Sequence, residues 1–172
     1  MNQLLNSYIK NEHLLSQGFL ILDFKIPEII QQKLIERDFY FIDQFFLEIE
    51  RPNGLLYNFL SNYLTFDSLE HIIAIRSAPF DDEGIWHDDG SRLLGYSLSL
   101  NLNPPMIEGG ELLLRKKSNS ITEWKEHSIS PLLYGQIVIF LTGLFGLEHK
   151  VCQVTKSERI VIAGWASHQN IK

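Results

Sequence analysis

Two hydrophobic periods divide the chain near residue 70. Before that point apolar residues recur about every fourth position. From Glu28 onward Ile30, Leu34, Phe41, Phe45 and Ile49 form one stripe of an amphipathic helix, entered behind Pro27. The run Phe39, Tyr40, Phe41 breaks the stripe, so an interruption is expected there. Arg51-Pro52-Asn53-Gly54 ends it, and residues 55–64 predict a second helix. Ahead of both, residues 18–24 (GFLILDF) read as a short strand.

After residue 70 the period falls to two. Tyr96, Leu98, Leu100 and Leu102 occupy one face of an alternating strand, with Ser97, Ser99 and Asn101 on the other. Further strands are predicted over 72–76, 111–115, 124–129, 136–141, 149–154 and 159–165. Asn103-Pro104-Pro105, Gly109-Gly110, Pro131, Gly143 with Gly146, and residues 155–158 punctuate them. Many short strands in series without intervening helices predict an antiparallel sandwich or barrel of the jelly-roll kind. A strand with a polar inner face fits a sandwich that encloses a wet cavity. The segment 132–147 is apolar but only 16 residues long and holds Gln136 and three glycines. It falls short of the roughly 20 apolar residues of a membrane span and reads as a buried strand and turn.

Composition narrows the partners. The 172 residues carry 15 Lys+Arg against 21 Asp+Glu, a formal charge of −6, and the longest basic run is Arg115-Lys116-Lys117. That balance disfavours wrapping of nucleic acid, whose phosphates call for a basic footprint. Hydrophobic residues at 45% fit one globular unit. The expectation is a single domain over 1–172, with a helical lead-in over 1–70 and a β core over 71–167. The lone Cys152 excludes an internal disulfide framework and suits a reducing compartment, and no basic-then-apolar leader opens the chain. A cytoplasmic protein without membrane attachment is expected.

Candidate chemistry starts at Trp86-His87-Asp88-Asp89-Gly90. On extended backbone His87 and Asp89 leave the same side, so an imidazole and a carboxylate can converge on one divalent ion. A further imidazole would complete a 2-His-1-carboxylate face for Fe(II). The pattern is short, and a solvated turn is the alternative. His149 and Arg159 stand ten residues apart. Arg159 begins an apolar strand, where its guanidinium must reach solvent or meet an anion. A bidentate carboxylate is what its planar fork fits best, and an ordinary ion pair with Glu158 is the alternative. His13, His71, His127 and His168 lack a carboxylate at ligand spacing and read as structural or surface residues. The acidic run Asp81-Asp82-Glu83 reads as a solvated loop that borders this site and bears on the charge a substrate meets.

In order, the chain presents His87-x-Asp89, the alternating strand, Glu108-Gly-Gly-Glu-Leu112, the strand from Gly135 to Phe140, then His149 and Arg159. This order resembles the Fe(II)/2-oxoglutarate-dependent oxygenases, in their prolyl 4-hydroxylase-like branch. The resemblance implies a double-stranded β-helix core, a cupin-like jelly roll, behind N-terminal helices. It implies Fe(II) held by His87, Asp89 and His149, with 2-oxoglutarate and O2 as cosubstrates and ascorbate as a candidate reductant. Arg159 matches the residue that grips the distal carboxylate of 2-oxoglutarate, and Trp165 matches the aromatic residue that closes its strand. Ser99 and Asn101 fall where the family places polar cosubstrate contacts. Where the family carries a tyrosine some ten residues before the first ligand, this chain reads Arg76-Ser77-Ala78-Pro79. Tyr96 and Arg76 are the candidate replacements. The implied reaction hydroxylates a C–H bond of a peptidyl proline, an amino acid or another small substrate, releasing succinate and CO2. A nucleic-acid demethylase of the same superfamily and a non-catalytic jelly-roll binding module are the alternatives.

Overall fold

A computed structural model describes residues 7–116, 126–143 and 147–168. Helix α1 (Glu12–Gln17) leads into strand β1 (Phe19–Asp23), and three helices follow: α2 (Glu28–Ile35), α3 (Phe39–Ile49) and α4 (Leu55–Ser61). The interruption expected near Phe39 is real. Arg37 takes a left-handed φ of 56°, and the Asp38 carboxylate caps α3 by accepting the Phe41 amide. The break also shifts the stripe: α3 buries Ile42, Phe46 and Ile49, whereas Phe41 is left exposed.

The strands are β2 (Ser68–Ser77), β3 (Leu94–Ser99), β4 (Glu108–Gly109), β5 (Leu112–Lys116), β6 (Glu126–Ile129), β7 (Gln136–Leu141), β8 (Leu147–Val151), β9 (Val154–Lys156) and β10 (Glu158–Ser167). The strand expected over 149–154 is two strands, because Cys152 and Gln153 interrupt it and pairing resumes through the expected break. Trp124 and Lys125 of the strand predicted over 124–129, Lys117 of the basic triplet and Gly146 of the predicted turn lie outside the described residues. Among the described residues no helix is long and apolar enough to cross a membrane.

Pairing is antiparallel throughout. A five-stranded sheet runs β1-β7-β3-β10-β2, a three-stranded sheet runs β6-β5-β8, and β4 pairs with β9. The lead-in thus supplies an edge strand, β1, to the larger sheet. Leu94, Leu98, Ile160, Ile162 and Ala166 are buried with the helices' Ile30, Ile42, Phe46 and Leu56 in one core. The other face of the larger sheet looks across a cavity at the smaller one. Mostly β, with the helices on one face, this is the jelly-roll architecture that the strand pattern predicts.

Candidate functional site

Strand parity and one isolated bridge assemble the site. In β8, Leu147, His149 and Val151 share a face, and His149 pairs with Leu114 of β5, which turns its ring inward. His87 bridges His149 at the outer edge of β8. Each backbone amide donates to the other's carbonyl, at 3.1 and 2.9 Å. Directly paired residues project on one side, so rings 62 positions apart in the chain meet at 4.2 Å between centroids. Asp89, two residues on, returns to the same side. Ligand atoms of His87, Asp89 and His149 all lie within 4.8 Å of one another.

Their neighbours prepare the donors. His87 Nδ1 lies 2.9 Å from the Ile85 carbonyl; a proton there leaves Nε2, 3.8 Å from Asp89, as the free lone pair. Asp89 accepts the hydroxyl of buried Thr142 at 3.1 Å. Burial pushes the His149 imidazole down to about 4, against the pull of Asp89, so it is neutral at neutral pH. Phe140 packs on its ring at 4.8 Å. That phenyl group lies over Gly95, where a Cβ would strike the ring. Two imidazoles and a carboxylate facing one point fit a borderline divalent metal.

Both histidines line a cavity of about 200 Å³ that reaches Arg76, Ser97 and Arg159 and is bordered by Ile72 and Trp165. Arg159 is 5% exposed and among the described residues forms no ion pair: its Nε has no partner, and Nη2 donates weakly to Ser97 at 3.4 Å. Burial, reinforced by the charge of Arg76, pushes this guanidinium down to about 10, so it stays charged at neutral pH. Glu158, the alternative partner, is bound instead by Arg37 at 2.9 and 3.1 Å. A buried cation without an ion-pair partner is costly, and beside a cavity it is chemically suited to an anion. A larger open cleft of about 710 Å³, lined by Phe19, Ile107 and His127 among others, lies elsewhere and does not include the His/Asp cluster.

The other named residues divide. Tyr96 is among the residues around the cavity, but its hydroxyl donates to Glu50 on the helix side of the sheet, away from Arg159 and Ser97. Parity explains this, since Tyr96 pairs with Gly164 while Ser97 and Ser99 pair with Ala163 and Val161. Ser99 and Asn101 border a narrow recess beside Arg159, but their polar atoms serve the protein. Ser99 Oγ donates to the Leu132 carbonyl at 2.7 Å, and Asn101 Oδ1 accepts the Ile160 amide at 2.8 Å. Ser97 is the hydroxyl that reaches Arg159.

The acidic run is a loop whose Asp82 and Glu83 are exposed, as expected, but whose Asp81 is not. Asp81 is largely buried against Arg76 and the Val154 amide, and Glu83 binds Lys150 and the Gln153 amide. His71 lies inside β2, 2.7 Å from Glu50 and 3.4 Å from Asp43. Thr142 and Ser97 were not anticipated as site residues, and Asp81 was expected only as part of a loop bordering the site. Of the first two, only Ser97 carried a signal, its place on the polar strand face.

A family model for the 2OG-Fe(II) oxygenase superfamily matches residues 77–167. Among solved structures, the chain is similar to a prolyl-4-hydroxylase from Pseudomonas putida, at 19% identity and TM-score 0.63 over 92% of this chain and 89% of that one. It is also similar to a Trichoplax adhaerens prolyl hydroxylase in complex with a hypoxia inducible factor peptide fragment, at 15% identity and TM-score 0.61 over 98% and 90%. A viral collagen prolyl hydroxylase from Paramecium Bursaria Chlorella virus-1, bound to 2-oxoglutarate, matches at 15% identity and TM-score 0.51 over 88% and 96%. No curated protein sequence matches. The chain belongs to the 2OG-Fe(II) oxygenase superfamily and is an enzyme of the 2-oxoglutarate-dependent dioxygenase type.

Proposed function

We propose that His87, Asp89 and His149 hold the Fe(II), that Arg159 holds the distal carboxylate of 2-oxoglutarate, and that the enzyme hydroxylates a C–H bond of a peptidyl proline, an amino acid or another small substrate. The observation that carries this reading is the meeting of the three ligand groups at a cavity that also exposes an unpaired buried guanidinium. Prolyl hydroxylases among the similar folds favour peptidyl proline as the first substrate to try.

Three protein ligands on one side leave room for a chelating ketoacid and O2. When bound, the iron supplies the oxidative chemistry in which 2-oxoglutarate, O2 and R–H become succinate, CO2 and R–OH. The chain's own part is placement. Thr142 holds the Asp89 carboxylate from one side, the Ile85 carbonyl orients the His87 ring, and Phe140 shields His149 from water. Arg159 fixes the cosubstrate through its far carboxylate, a fork-to-fork contact that also sets its direction.

The test is release of succinate from 2-oxoglutarate in air by the Fe(II)-loaded protein, alone and with a panel of prolyl peptides, amino acids and small acids. Turnover that rises with one substrate class, with ascorbate prolonging it, is expected. A metal-loaded protein that never consumes 2-oxoglutarate overturns the reading.

A further inference from the structure

Two arginines stand side by side at this pocket. The register of β2 with β10 sets Arg76 directly against Arg159, so both leave the same sheet face, and both line the cavity. Like charges in paired cross-strand positions repel, and a free pair would make a site for two anionic groups. Arg76, however, is occupied. Its Nε donates to both carboxylate oxygens of Asp81, at 2.9 and 3.0 Å. Nη1 donates to the Val151 carbonyl at 3.3 Å, and Nη2 donates to the Asp82 carbonyl.

Asp81 is in turn held from the far side. It accepts the Val154 amide at 2.7 Å, and its carbonyl accepts the Gln153 side chain at 2.7 Å. The carboxylate is therefore fixed to β9 independently of Arg76, and its side chain is 10% exposed.

We propose that Asp81 is a positioning residue that divides the labour of the two arginines: it occupies Arg76 as an internal stand-in for a ligand and leaves Arg159 alone to take the cosubstrate. Two guanidinium groups and one carboxylate leave a single net positive charge, which matches one carboxylate of the ligand. The proposal rests on the 2-oxoglutarate reading above, and it makes Asp81 a determinant of how many anionic groups the pocket admits.

Three variants of the full chain test it: Asp81→Asn, Arg76→Gln and the two combined. Inorganic phosphate is titrated calorimetrically into metal-free protein, and 2-oxoglutarate into Mn(II)-loaded protein. Asp81→Asn frees a second guanidinium, so phosphate binds about tenfold tighter than to wild type, the scale of one unscreened charge at this depth. Arg76→Gln strips Asp81 of its cation and turns the carboxylate against Arg159, so 2-oxoglutarate binds about tenfold more weakly. The combined variant returns both affinities to within about threefold of wild type, as expected when the charges cancel.

Wild-type phosphate affinity in Asp81→Asn overturns the proposal, as does a combined variant no better than the worse single one, because Asp81 would then only fasten the loop. Should Asp81→Asn fail to fold, Arg76→Gln and the combined variant decide. Wild-type protein that ignores 2-oxoglutarate sinks the function proposed above, whereas the phosphate titration uses neither metal nor cosubstrate and tests the arginines alone.

Discussion

Beneath α3, on the helix side of the large sheet, Tyr96 donates its hydroxyl to Glu50, and Glu50 also contacts a ring nitrogen of His71, whose other nitrogen faces Asp43 at 3.4 Å. On the cavity side, Arg159 Nε is buried without a partner. Both sides put charged and polar groups out of water, and each leaves a buried nitrogen without a hydrogen bond, but His71 Nε2 has the Asp43 carboxylate 3.4 Å away whereas Arg159 Nε lies beside the cavity. Leaving such a group unsatisfied costs about 1–3 kcal/mol. A fold carries that cost where a ligand supplies the missing partner. Burial of polar residues therefore does not by itself mark a site; burial without pairing, beside a cavity, does.

The comparison breaks first at Arg159. Arg159→Ala should raise the 2-oxoglutarate requirement about 100-fold, the usual cost of removing one partner of a buried charge pair. Mn(II) affinity should not change, and the melting temperature of the metal-free protein should fall little, because the deleted guanidinium gives up only its long hydrogen bond to Ser97. Loss of metal binding with unchanged cosubstrate use would show that Arg159 supports the ligands instead.

The helix side predicts the reverse pattern. Tyr96→Phe removes a donor to a buried carboxylate and should cost about 2 kcal/mol in urea unfolding, with the 2-oxoglutarate requirement unchanged. Burial, then the charge of Glu50, holds the Tyr96 phenol well above its ordinary value, so it serves as a proton-bearing strut. A raised cosubstrate requirement in Tyr96→Phe would assign its hydroxyl to the cavity and erase the distinction between the two faces.

The same parity shows what was legible from residue order. The alternation at 96–102 already put Tyr96 opposite Ser97, Ser99 and Asn101, so naming Tyr96 and Ser99 together as cosubstrate contacts conflicted with the pattern itself. The ligand trio was readable because His87 and Asp89 are local and the strand order places His149 and Arg159 behind them. Their convergence was not, since it depends on a single bridge between residues 62 positions apart. Asp81 was misread for the same reason: an acidic triplet beside a proline looks solvated until Val154, 73 positions on, supplies an amide. The phase of α3 was missed because the residues around Phe39 are apolar in several registers, and the Asp38 cap decides among them.

Asp81 gives the comparison its finest test, since it is the one closed pair described on the cavity side around Arg76. Burial works to raise its carboxyl, but the Val154 amide and the Arg76 guanidinium outweigh that and hold it below the ordinary 3.8. A group whose folded value is depressed contributes stability that is present in full above its unfolded value and is lost as the pH falls through the folded one. In phosphate-free buffer, the gap in urea midpoint between wild type and Asp81→Asn should therefore stay level from neutral pH down to about 5 and close progressively below about 4. Arg159→Ala should show a smaller acid-dependent gap, because among the described residues no carboxylate forms an ion pair with Arg159 and Asp81 bears on it only through its charge. A gap for Asp81→Asn that widens on acidification would mean that the neutral acid, and not the ion pair with Arg76, is what the fold prefers, and Arg76 would then belong with Arg159 among the open groups.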